Sequence, residues 1–116
     1  MALNVESIRD YCLAKPDAEE AFPFDEQTLV FKIYDKMFLL IDLENPSSFN
    51  VKCDPEEAVA LREQYVEVEP GYHMSKKHWN TVSITGGLTD DQLLKMIDDS
   101  YDLVVQSLPK HRRPQS

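Results

Sequence analysis

Apolar side chains return along this chain in two rhythms. Between residues 4 and 14, Val5, Ile8, Tyr11 and Cys12 recur at helical spacing behind Asn4, a good N-capping residue, and Pro16 and Asp17 end the run. A short first helix is expected there. The stretch DAEEAFPFDEQ (17–27) is acidic, and Pro23 between Phe22 and Phe24 favours an extended, edge-like run over a central strand. TLVFKIY (28–34) and MFLLIDL (37–43) read as a β-hairpin joined through Asp35 and Lys36. The second strand is apolar at both parities, with Met37, Leu39 and Ile41 on one face and Phe38 and Leu40 on the other. Such a strand is central, or has its second face covered. One extra loop residue would reverse the facing relationship, so the hairpin register stays open. ENPSS (44–48) is a turn, and FNVKC (49–53) is a third strand.

The pattern then lengthens again. DPEEAVALREQY (54–65) carries helix-start chemistry: Asp54 as cap, Pro55 in the first turn and Glu57 completing a D-x-x-E box. Residues 66–87 give a short strand, a Pro70-Gly71 turn and a second strand near 78–85. Thr89, with Gln92 three residues on, opens the last helix, whose stripe is Leu93, Leu94, Ile97, Tyr101, Val104, Val105 and Leu108. Asp91, Asp98, Asp99 and Asp102 fall mostly on its other side. The order α-β(3)-α-β(2)-α, with runs of consecutive strands, predicts an α+β fold: two layers, an antiparallel sheet with helices packed on it. At 116 residues the chain makes one domain, expected over 1–110, followed by a basic, flexible tail at 111–116.

Charge changes this picture more than composition does. Twelve basic against 21 acidic residues give −9, a balance that counts against a nucleic-acid partner. The distribution is uneven: residues 1–69 carry −10, 70–88 carry +2, 89–102 carry −4 and 103–116 carry +3. The two acid-free stretches are the electrostatic candidates for a polyanion. The longest apolar run, MFLLI (37–41), is far short of the roughly 20 residues that span a bilayer, and MALNVESIRDYC lacks the features of a secretory signal. A cytoplasmic domain with no membrane partner is the expectation.

Candidate chemistry is sparse. Cys12 and Cys53 stand 41 positions apart without a C-x-x-C and read as small buried hydrophobes. Gly86-Gly87 precedes a helix, but Asp90 and Asp91 in its first turn would repel a phosphate. His73 and His78 bring no further zinc ligand with them, and His78 shares strand parity with Val82 and Ile84, as an inward, hydrogen-bonded histidine would. No nucleophile–base pair is spaced for catalysis, so no catalytic residue, metal site or cofactor is expected. The segment GYHMSKKHWNT (71–81) combines Tyr72, His73, Lys76, Lys77, His78 and Trp79 with no acid. Trp79 shares parity with Thr81, Ser83 and Thr85, which predicts the less buried face and a stacking or partner-binding surface.

The stretches CLAKPDAEEAFPF (12–24), TLVFKIYDKMFLLI (28–41), FNVKCDPEEAVALREQY (49–65), PGYHMSKKHWNTV (70–82) and IDDSYDLVVQSLPK (97–110) together resemble the MmcQ/YjbR family of small bacterial domains. The resemblance implies the α-β(3)-α-β(2)-α fold. It also implies weak DNA binding, because that fold is similar to the double-wing module of a phage transcription factor and to the CyaY (frataxin) fold. The fold is also similar to that of type III secretion chaperones, which bind proteins, so a protein-interaction or self-associating module using an exposed aromatic or apolar sheet face is the alternative. Lys76, Lys77, His78 and Trp79 match the family's K-K/R-H-W segment, and Lys52 lies in its K-C-D-P stretch. The family transfers no catalytic residues.

Overall fold

A computed structural model describes residues 3–71, 75 and 77–112. Helix α1 (Val5–Leu13) is followed by strands β1 (Ala18–Ala21), β2 (Thr28–Ile33), β3 (Lys36–Asp42) and β4 (Ser48–Lys52). Helix α2 (Pro55–Gln64), strands β5 (Val68–Pro70) and β6 (Trp79–Ser83), helix α3 (Asp90–Ser107) and a single 3-10 turn (Lys110–Arg112) complete the order. Of the expected basic tail, residues 111 and 112 belong to that turn and 113–116 lie outside the described residues. The sheet runs β1-β2-β3-β4-β6-β5 with every neighbouring pair antiparallel. The α+β class holds, with one strand more than the pattern predicted.

That extra strand is β1. Its sequence, AEEA, has no apolar alternation to announce it, yet it pairs with β2 from Ala18↔Ile33 to Ala21↔Val30 as one border of the sheet. Local capping chemistry fixes the helix starts. Asn4 and Ser7 form a reciprocal box on α1 at 2.9 Å in each direction. Thr89 and Gln92 do the same for α3. Asp54 caps α2 by accepting from the Glu56 N–H; among the described bonds there is no return bond from Glu57.

A β-bulge resolves the doubly apolar strand. Phe31 pairs with Leu39 and Lys32 with Met37, so Phe38 has no partner on β2. Phe38, Leu39 and Ile41 therefore all face the main core with Leu29, Phe31 and Ile33, while Leu40 sits on the opposite face with Val30, where Met37 packs. This differs from the strict alternation expected of residues 37–41, because an inserted residue resets the period of two. The hairpin turns through Tyr34 and Asp35, one residue earlier than expected, with Tyr34 in the left-handed region at φ 57.

The helices pack on one face of the sheet. Ile8 and Cys12 of α1 join Leu93, Met96, Ile97, Tyr101 and Val104 of α3 in the main core, and Leu61 of α2 packs against it. Tyr101 meets Phe38 edge-on at 5.3 Å. Ser100, buried on α3, accepts from the Lys52 N–H at 2.8 Å and donates to the Phe38 carbonyl, pinning β3 and β4 to the helix. Lys15, just past α1, pairs with Asp98 of α3, whose carboxylate also accepts from the Tyr11 hydroxyl at 2.7 Å. Asp98, expected on a solvated face, is thus a tie between helices.

Candidate functional site

The sheet face away from the helices is a mosaic in register rows. One row reads Ala21, Val30, Leu40, Asn50, Thr81, Glu69 across six strands. The next row carries Glu19, Lys32 and Met37 on one side, Lys52 and Trp79 on the other. Val30 (0% exposed), Leu40 (6%) and Trp79 (9%) form a small second core there, with Met37 packed against it. Half-exposed around them are Lys32, Lys52, Asn50 and Thr81, the last two joined by a 2.6 Å hydrogen bond. Acids on this face sit at its margins: Glu19 on β1, Glu69 on β5, and Asp42 at the end of β3.

Strand β6, which carries Trp79, is held from the helix side. The Trp79 carbonyl accepts from the Gly71 N–H at 2.9 Å and from the Arg62 guanidinium at 3.2 Å. Arg62 also donates through Nε to the Asn80 carboxamide oxygen at 2.7 Å, and Asn80 donates to the Ala58 carbonyl. Both lone pairs of the Trp79 carbonyl are therefore engaged, and the strand end is fixed in place.

The expected site residues fare unevenly. Lys52 pairs in register with Trp79 on the helix-free face, and Lys77 is exposed two residues before it. Tyr72, His73 and Lys76 lie outside the described residues. Trp79 does occupy the face its parity predicted, but it is buried rather than partly exposed, because Val30, Leu40 and Met37 give the indole an apolar bed. At 9% exposure the indole offers little surface for stacking on a base. The same packing buries Val30 and Leu40 and leaves Met37 partly buried on this face. His78 is exposed just before β6 rather than inward, and its carbonyl accepts from the Cys53 N–H. Lys32, Asn50 and Thr81 were not singled out from the sequence. Lys32 stands two positions from Val30 in TLVFKIY, which places it on the helix-free face once the register is known.

Charge divides between the layers. Helices α1, α2 and α3 hold ten acidic and three basic residues, or −7 of the chain's −9. Between α2 and α3 lies a groove of about 230 Å³ lined by Cys53, Asp54, Glu57, Asp99, Asp102, Leu103 and Gln106. Among the described residues no three His, Cys, Asp or Glu side chains are placed to hold a metal ion. Both cysteines are free and buried. Burial pushes the Cys12 thiol up to about 12, and burial with the Glu57, Asp99 and Asp54 carboxylates takes Cys53 to about 11. Neither is poised as a nucleophile. At the Gly86-Gly87 turn the Gly87 N–H already donates to the Glu67 carboxylate at 2.8 Å, where a phosphate would have to sit.

Comparison with known proteins agrees with this architecture. The YjbR family model matches residues 13–103. The YjbR protein of Escherichia coli K12 is 35% identical over 112 residues, 96% of this chain and 95% of that one. The YbdF protein of Escherichia coli O157:H7 is 36% identical over 106 residues, covering 90% of this chain and 87% of its own. The crystal structure of Deinococcus radiodurans protein DR2400 superposes with a TM-score of 0.88 at 37% identity, over 95% of this chain and 85% of that one. A Pseudomonas syringae protein gives 0.75 at 27% identity, over 88% and 99%. With the family model spanning most of the chain and full-length relatives above 30% identity, the chain belongs to the YjbR family.

Proposed function

We propose that this chain is a cytoplasmic, non-enzymatic domain that binds nucleic acid weakly and without sequence preference through its helix-free sheet face. The observation that carries the reading is the segregation of charge: Lys32 and Lys52 stand on that face and Lys77 at its end, while the helices on the other side hold −7 of the net −9. Net charge alone would repel a polyanion. The outer surface of the helical layer, however, is at least a helix diameter of about 10 Å from the sheet, beyond the Debye length of about 8 Å at physiological salt. A duplex approaching the middle strands of the sheet face therefore meets chiefly the lysines, and one approaching the helices is turned away. Glu19 and Glu69 confine the footprint to the middle strands.

In this reading Lys32, Lys52 and Lys77 contact phosphates. Trp79 is the packed support that sets the position of Lys52, not a stacking platform. Three phosphate contacts give a salt slope of roughly −3. The test is fluorescence anisotropy of labelled random duplexes and single strands at two salt concentrations, with Lys52→Glu/Lys77→Glu beside the wild type. Salt-sensitive binding lost in the double variant supports the reading. No binding at low salt, or binding indifferent to both lysines, rejects it.

A further inference from the structure

Among the described residues strand β1 borders the sheet and pairs on one side only, with β2, while its Ala18 N–H turns back to the Lys15 carbonyl at 3.2 Å. It runs directly into Phe22 and Phe24, 48% and 61% exposed on either side of Pro23. Leu43, 38% exposed, lies at the same end of the sheet, its N–H bonded to the Gln27 carbonyl. Residues 16–31 contain Asp17, Glu19, Glu20, Asp25 and Glu26 and no lysine or arginine. Arg9 of α1 reaches this border and pairs with Glu20 at 2.6 Å. A strand edge, two exposed aromatics and a one-signed charge thus coincide along one short segment.

We propose that the free edge of β1, with Phe22 and Phe24, is a docking site for an extended, lysine- or arginine-rich segment of a partner protein. Backbone pairing to β1 supplies the register, and the two phenylalanines supply apolar contact at the end of the added strand. The carboxylates choose the occupant. Glu20 already pairs with Arg9, so Glu19 is the strand carboxylate that a second copy of this chain would set against its own kind and that a basic segment neutralises. Four strand residues and two aromatics bury well under about 1,000 Å², which makes the contact weak and transient. The edge adjoins the lysine face, with Glu19 in register beside Lys32, but does not depend on nucleic-acid binding.

An NMR titration of the full chain at physiological salt tests this, using a decapeptide that alternates lysine and leucine and its glutamate–leucine counterpart. The expected result is saturable shifts, and amide exchange at least tenfold slower at residues 18–21, with the lysine peptide alone. Phe22→Ser/Phe24→Ser, at two exposed positions, should weaken binding at least tenfold at an unchanged Tm. If that variant unfolds, Glu19→Lys serves instead and should weaken peptide binding at least fivefold without weakening any binding of DNA. Equal response to both peptides overturns the proposal, as do shifts centred on Lys32 and Lys52, no shift at millimolar peptide, or self-association that protects residues 18–21 without peptide.

Discussion

The amide of Gly71 donates to the carbonyl of Trp79 at 2.9 Å, and the two backbones approach so closely that a Cβ on residue 71 would lie 2.8 Å from the Trp79 Cβ. The same Cβ would stand 3.0 Å from the Trp79 carbonyl oxygen. Neither atom is the flexible tip of a side chain, so one strand would have to move. Gly71→Ala is therefore expected to cost about 1–3 kcal/mol, the usual range for overpacking. A urea melt followed by tryptophan emission checks this, and Trp79, the single tryptophan, reports on the disturbed strand itself. An unchanged midpoint would contradict the close approach.

Asp17, just past α1, is held in the left-handed region at φ 60. A side chain pays for that conformation and glycine does not. Asp17→Gly should raise stability by about 1 kcal/mol, or roughly 4 °C in Tm for a domain this size. A calorimetric scan decides it, and a lower Tm would mean that Asp17 does more than turn the chain.

Lys15 ties α1 to α3 in two ways. Its ammonium pairs with Asp98 and lies 4.8 Å from the Tyr11 ring centre and 5.0 Å from that of Tyr101. Its side chain is only 15% exposed, so removing Asp98 leaves a largely desolvated cation and an unpaired Tyr11 hydroxyl. Asp98→Asn is expected to cost about 1–2 kcal/mol. A double-mutant cycle with Lys15→Met should show coupling of about 1 kcal/mol, and additivity would reduce the pair to a surface contact.

The pH dependence of stability has an acid limb and an alkaline one. The Arg9 guanidinium holds the Glu20 carboxyl below its ordinary value, and the Gln27 and Thr28 N–H groups do the same for Asp25. The folded state resists protonating these groups, so their stabilisation is complete above the ordinary carboxylate range and fades as pH falls through it, from about pH 5 downward. Burial first, then the Asp98 hydrogen bond, takes Tyr11 up to about 12, and Cys12 and Cys53 are raised by burial to about 12 and 11. There the unfolded chain releases protons first, and stability falls as pH rises past the ordinary thiol value of 9.0. Thermal melts across pH should show both limbs, with the acid limb shallower in Asp25→Asn. A thiol reagent at about pH 8 should modify neither cysteine until the protein unfolds, given their raised values.

Helix starts were legible because capping is local: Asn4, Asp54 and Thr89 each act within three residues of themselves. The face of Trp79 was legible for a similar reason, since parity along one strand needs no partner. Its burial was not, because the bed beneath it comes from β2 and β3, and Met37 reaches that side only through the bulge at Phe38. Register is a property of two strands and cannot be read from one. Ser100 and Arg62 escaped for a related reason: each is polar by sequence and earns its place by bonds to strands far along the chain, to Phe38 and Lys52 in one case and to Trp79 and Asn80 in the other. β1 was seen as an edge-like run and not as a strand, since four residues without alternation give no period to detect.

The sheet order has a consequence for synthesis on the ribosome. Strands β1 to β4 are neighbours in sequence and in space, but the far side of β4 belongs to β6, which is made after β5. Between the emergence of residue 52 and that of residue 83 the nascent chain carries β4 as a bare border, for roughly 2–6 s at ordinary translation rates of about 5–20 residues per second. The first strand to arrive, β5, is a poor claimant, with three residues ending in Pro70. Its brevity keeps the vacancy open for β6, and a chain cut short before Trp79 would be left with that vacancy permanently exposed to its neighbours.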